Sequence, residues 1–243
     1  MLKNFSSKFP FMKKRIVALA LVSAMVAGQV YAQSTSVNPK GNPGGIYIKG
    51  GVNFSNISTS NDGSYRDGNM LTTFNVGVLK DFALTNNFSI QPGLVLNGKG
   101  AKVTHYYGVG SETPVSESLK MNPLYLELPV NFVVKLPITT GTNFFVGAGP
   151  YGALGVGGKY KATATVAGAS GETTRNIQFG STNDDDLRRF DYGVNALAGL
   201  EIDRVMLNVN YGLGMSKIVP NADDFRNDRN KYRVLSVNVG FRF

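Results

Sequence analysis

Leu124-Tyr-Leu-Glu-Leu-Pro-Val-Asn-Phe-Val-Val-Lys135 decides the reading of this 243-residue chain. Leu124, Leu126, Leu128, Val130, Phe132 and Val134 alternate with Tyr125, Glu127, Pro129, Asn131 and Lys135. A period of two is the signature of a β-strand, whose successive side chains leave opposite faces. The surrounding segment, 122–136, is longer than the 5–6 residues or so typical of a globular strand. Its length suits a strand tilted through a bilayer, which needs about 9–11 residues.

The same alternation recurs on both sides. Upstream it covers 45–54, 70–80 and 87–98; downstream it covers 143–157, 189–202, 205–216 and 232–243. In 45–54, Ile46, Ile48, Val52 and Phe54 oppose Tyr47, Lys49 and Asn53. In 205–216, Val205, Leu207, Val209, Tyr211 and Leu213 oppose Asn208, Asn210, Gly212, Gly214 and Ser216. Each segment therefore has one apolar face and one face of Gly, amide and charge. The segments number eight. The connections between them alternate short (81–86, 137–142, 203–204) and long (55–69, 99–121, 158–188, 217–231). Short inner turns and long outer loops are the layout of an outer-membrane barrel, and with an even strand number both termini fall in the periplasm. Alternation alone does not say which face is inside, because a soluble barrel buries its apolar face. Strand length, loop alternation and the C-terminus favour the membrane. The fold expected is all-β: an eight-stranded antiparallel up-and-down transmembrane β-barrel.

Both chain ends fit export. Lys13, Lys14 and Arg15 precede the apolar run Ile16–Ala27, and Val30-Tyr31-Ala32 puts small or modest residues before Gln33. This is the pattern of a secretory signal peptide. As a helix the run spans roughly 18 Å, too short for a hydrocarbon core of about 30 Å. Translation from Met1 and from Met12 are both compatible with it. The domains expected are a signal peptide over 1–32, a flexible periplasmic leader over 33–43, and the barrel over 44–243. At the other end Leu235, Val237, Val239, Phe241 and Phe243 step along one face to a terminal aromatic residue.

Composition narrows the function. Mean hydropathy of −0.07 is too low for a helical membrane protein but normal for a barrel with one lipid-facing side per strand. Without Cys the chain has no disulfide and no thiolate metal site. The formal charge is +9, but five basic residues and no acid lie in 1–32. Their removal leaves 20 basic against 16 acidic residues, dispersed along the chain, so a nucleic-acid partner is not expected.

The chain resembles the small outer-membrane β-barrel proteins of Bacteroidota, the PorT-like group with an outer membrane protein β-barrel domain. The resemblance covers about residues 44–243. It rests on Tyr125-Leu-Glu-Leu-Pro-Val-Asn-Phe132, Phe145-Val-Gly-Ala-Gly-Pro-Tyr151, Phe190-Asp-Tyr-Gly193 and Ala198-Gly-Leu-Glu201. The Ala32-Gln33 junction is common in such proteins. The C-terminal strand resembles the signal read by the barrel-assembly machinery, which is therefore an expected partner. Outer-membrane lipid and lipopolysaccharide are the others, with a protein partner at the extracellular loops.

No catalytic, cofactor-binding or metal residue is expected. On the parity above, Lys49, Gln91, Glu127, Asn131, Lys135, Asp191, Asn195, Glu201, Asn208, Asn210, Asn238 and Arg242 point into the lumen. They form either an ion-paired plug or a polar path for a small solute. His105, the only His, lies near Tyr106, Ser111, Glu112, Ser116 and Glu117, with no nucleophile motif around it. A His105-dependent lipid-modifying or proteolytic site is the enzyme alternative, and a narrow pore or a secretion accessory is the third. Asp184-Asp185-Asp186 and Asp223-Asp224 sit among Arg188, Arg189, Arg226 and Arg229 without the spacing of a calcium loop. The Ala/Thr/Gly-rich stretch Lys159–Gly180 reads as a hairpin extending its strands beyond the membrane.

Processing after Ala32 gives a mature protein that starts at Gln33. N-terminal mass spectrometry of outer-membrane material should find this end; retention of residues 16–32 would contradict it.

Overall fold

The computed structural model describes residues 44–61, 64–67, 70–107, 115–166, 169–180, 185–218 and 230–243. The expected signal peptide and leader lie outside these residues. Eight strands close into a ring: β1 (Gly45–Asn61), β3 (Leu71–Ala83), β4 (Phe88–Gly98), β6 (Val115–Thr139), β7 (Thr142–Val166), β11 (Phe190–Ile202), β12 (Val205–Gly214) and β13 (Lys231–Arg242). Each pairs antiparallel with its neighbours in chain order, and β1 pairs with β13 from Tyr47↔Arg242 to Ser58↔Lys231. The amide of Phe243 adds a bond to the carbonyl of Ile46, 2.9 Å away. The described residues hold no helix long and apolar enough to cross a membrane.

Five shorter strands lie outside the ring: β2 (Ser64–Asp67), β5 (Ala101–Tyr107), β8 (Ala169–Asn176), β9 (Phe179–Gly180) and β10 (Leu187–Arg188). They correct the expectation that 99–121 is a simple loop. β5 pairs with the first part of β6, and β8 with the last part of β7. Because β6 also pairs with β7 from Val115↔Val166 onward, the four strands form one sheet that continues past the ring. Gly100 makes the joint between β4 and β5. Its φ is +134°, and a Cβ there would lie 2.0 Å from the carbonyl oxygen of Met121, so only glycine fits. The expected hairpin over Lys159–Gly180 is present as the end of β7 with β8.

At the opposite end the turns are tight. Gly141 turns β6 into β7 at φ +80°, and Asp203 turns β11 into β12 at φ +52°. The Asp203 amide donates to the Gly141 carbonyl at 2.7 Å, tying these two turns together.

Burial settles which face is inside. Phe132 is 57% exposed, Val239 56% and Val209 47%, whereas Glu127 is 4% exposed, Lys135 2% and Asn53 0%. The apolar face points out all round the ring, and the polar face is enclosed. Water would leave this outer surface uncovered, far beyond the few hundred Å² of apolar patch usual on a soluble monomer. Hydrocarbon covers it, and the closed ring leaves no strand edge to satisfy there.

A spin label on Val209→Cys tests this. Oxygen should broaden its signal strongly and a polar nickel chelate only weakly. Accessibility to the chelate would rule out a lipid-facing position. Val209→Arg should cost about 2–4 kcal/mol near the midplane.

Candidate functional site

The lumen is built in layers, because each strand contributes every second residue to it. At the end with the tight turns, Lys135 reaches from β6 to Asp81 on β3 and, at 2.8 Å, to Glu201 on β11. Arg242 on β13 binds the other oxygen of Glu201 at 2.6 Å. Two cations thus meet two carboxylates in one layer, in which Arg242 alone is partly exposed. Above them Leu79, Val95, Val133, Phe145, Leu197 and Met206 pack together with Tyr47 as an apolar disc.

Next comes a polar cavity, with Lys49, Gln91, Asn131 and Asn208 in its wall and Glu127 at its upper edge. An amide network roofs it. Asn97 donates to Glu127 Oε2 at 2.9 Å and Asn195 to Glu127 Oε1 at 3.3 Å. Asn75 and Ser236 both donate to Asn53 Oδ1, at 2.6 and 2.8 Å, and Asn53 donates to Asn97 Oδ1 at 2.7 Å. Above the network Lys99 bridges Glu127 at 3.0 Å and Asp191 at 2.8 Å. Its Nζ lies 4.2 Å from the centre of the Tyr151 ring, a cation–π contact. Ser216 donates to the second Asp191 oxygen at 2.5 Å.

The last layer is apolar again. Tyr125, Tyr232, Ile177, Leu187 and Ile218 close the lumen, with Phe179 packed edge-on to Tyr125 at 5.6 Å. Ile177, Phe179 and Leu187 come from the stretch expected to be the third long loop, which folds back as a lid.

Among the described residues Lys99, Lys135 and Arg242 pair in the lumen with Asp81, Glu127, Asp191 and Glu201, while Lys49 lines the cavity with Glu127. Ions taken out of water are tolerated when paired in this way. The arrangement ties the wall together across the bore, with an apolar cluster on either side of the polar layers.

Residues 31–219 match the family described as outer membrane protein beta-barrel domain. The chain belongs to this outer-membrane β-barrel family. Solved structures to which it is similar include three outer-membrane proteins. The first is the attachment invasion locus protein Ail of Yersinia pestis (16% identity, 82% of this chain and 99% of that chain, TM-score 0.36). The second is OprG of Pseudomonas aeruginosa (11%, 85% and 99%, TM-score 0.38). The third is Neisserial surface protein A (10%, 82% and 97%, TM-score 0.36). No curated protein matches.

In this outer-membrane barrel the residues expected to face the lumen do so. Sequence parity missed Asp81, which was assigned to a turn, and Lys99, which was assigned to a loop. A visible signal for the lid was the isolated apolar trio Ile177, Phe179 and Leu187 in a polar stretch. His105 lies on β5 opposite Glu117, followed across the sheet by Ala164 and Gly171. That row has a carboxylate but no nucleophile. Ser111, Glu112, Asp184, Asp223, Asp224, Arg226 and Arg229 lie outside the described residues. Asp186 pairs with Arg175, through two 2.7 Å bonds. The Arg175 guanidinium holds the Asp186 carboxyl below its ordinary range, aided by the Gln178 amide. Among the described residues no group of three His, Asp or Glu is placed to hold a metal ion.

Lys99→Met would leave Glu127 and Asp191 without their shared cation. It should cost about 3–5 kcal/mol, the usual penalty for breaking a buried pair, read as a lower urea midpoint in detergent. Adding Glu127→Gln and Asp191→Asn should restore most of the loss; no recovery would show that the triad is not the source.

Proposed function

We propose that this protein is a non-enzymatic integral outer-membrane β-barrel. Its tight turns and both termini lie in the periplasm, and its long hairpins lie outside. There they contact a partner, a surface or lipopolysaccharide. The carrying observation is a division of labour within the chain. The bore is filled by ion pairs and an apolar lid, while β5, β8 and the outer halves of β6 and β7 project as a sheet that does not serve ring closure. β8 is exposed at every residue.

Three further assignments belong to this reading. Residues 1–32 are a cleaved signal peptide and 33–43 a periplasmic leader. The terminal strand, ending Val239-Gly-Phe-Arg-Phe243, is the segment recognised by the barrel-assembly machinery. Within the family, the motifs around Tyr125–Phe132 and Phe145–Tyr151 support a place in the PorT-like group of Bacteroidota.

The cavity beside Lys49 favours a second reading, a narrow solute path, and conductance separates the two. Purified protein in planar bilayers should show no steady single-channel current; a regular unitary current would replace the plug with the path. An epitope at Thr165 should be labelled on intact cells and one at Thr140 only after permeabilisation. The reverse pattern would invert the orientation.

A further inference from the structure

The projecting sheet has a row that strand pairing should disfavour. Lys102 on β5, Lys120 on β6 and Lys161 on β7 stand directly opposite one another in consecutive register. Directly opposed residues leave the same face of a sheet, and like charges so placed repel. Lys159 lies on the same face, one pleat nearer the ring, opposite Asn122. Among the described residues of this face the one carboxylate is Glu172, which holds Lys161 at 2.6 Å in an exposed pair. No carboxylate partners Lys102, Lys120 or Lys159 among the described residues. The rest of the face is hydroxyl-rich, with Thr104, Ser118 and Thr163 in the adjoining row.

The direction of this face identifies what neutralises it. On β6 the even positions from Phe132 up to Leu124 point outward, and Lys120 continues that series. On β7 an extra residue between the partners of Leu124 and Tyr125 shifts the parity, so that Lys159 and Lys161 join the outward face. The lysines thus sit on the prolongation of the lipid-facing wall, not over the bore. Lys120 is four positions beyond Leu124 on β6, roughly 13 Å along the strand at about 3.3 Å per residue. With the usual tilt this is on the order of 10 Å above the apolar band. Lysine stems reach back toward a membrane surface and keep the ammonium at headgroup level.

We propose that Lys102, Lys120 and Lys161, with Lys159 beneath them, form a binding platform for the phosphate groups of lipid A in the outer leaflet. Phosphate oxygens neutralise the opposed ammonium groups, and the neighbouring hydroxyls donate to them. The proposal rests on the orientation given above. The binding test below is done in micelles, where orientation plays no part, so its failure and a failure of the labelling experiment are distinguishable.

The test uses the full mature chain in zwitterionic detergent, probed by native mass spectrometry with bisphosphorylated lipid A and with its dephosphorylated form. The phosphorylated form should be retained preferentially. The triple variant Lys102→Gln/Lys120→Gln/Lys161→Gln should reduce that preference about a hundredfold, from about fivefold per surface lysine. A second readout guards against a purely structural role. Without lipid A the triple variant should melt at a higher temperature than the wild type, since the repulsion is gone. Lipid A should raise the wild-type transition and leave that of the variant unmoved. Lys120→Gln alone, the centre of the row, should fall between them. Equal retention of the two lipid forms would overturn the proposal, as would a triple variant that binds like the wild type. So would a soluble sulfated oligosaccharide that binds as tightly as lipid A, because the ligand would then not be a membrane lipid.

Discussion

Inside a bilayer no water is available to a backbone amide or carbonyl, and an unpaired one costs several kcal/mol. The pairing of β1 with β13 answers that constraint for the whole molecule. Without it two edge strands would face hydrocarbon; with it every ring strand has two antiparallel neighbours. The seam is extended by the Phe243 amide, bonded to the Ile46 carbonyl, and by its ring against Phe241 at 5.2 Å.

Closure creates the second problem, the interior. Eight strands enclose a bore that side chains can fill. The lipid-facing positions take the apolar residues, so the polar ones are enclosed and must satisfy each other. The chain meets this with two ionic layers separated by an apolar disc, a polar cavity and an amide network. The charges are held by carboxylates from distant strands: Lys99 meets Asp191 across 92 residues of sequence. The layers also fix the register, since sliding a strand by one residue would turn its lumen charges into lipid. With the bore lined in this way, the proposed function rests on the chain beyond the ring.

That outer chain follows a different logic. Its strands need no lipid-facing apolar side, and the outward series changes from leucine to lysine within a few positions of β6. The exposed pairs there, Lys161 with Glu172 and Arg175 with Asp186, are of the solvated kind that contributes little to stability. A row of opposed lysines in such a sheet does not serve folding, and for that reason it points to a ligand.

The sequence by itself determined the strands, their parity and their lengths, because a period of two is a local property of the chain. From Leu124–Lys135 alone, Glu127, Asn131 and Lys135 were legible as one face, and the Lys159–Gly180 hairpin was legible from its composition. Which face is inside was not legible from alternation, which is symmetric between a barrel in lipid and a barrel in water; strand length and the alternation of short and long connections indicated it, and burial bears it out. Nor was Lys99 legible as the centre of an ion triad. It follows the last residue of its strand, and its partners are set by the stagger of strands round the ring. The same holds for Asp81, hidden in an apparent turn, and for the three lysines on β5, β6 and β7. Each lies in its own unremarkable segment. Only inter-strand hydrogen bonding, which fixes one register among many, brings them opposite one another.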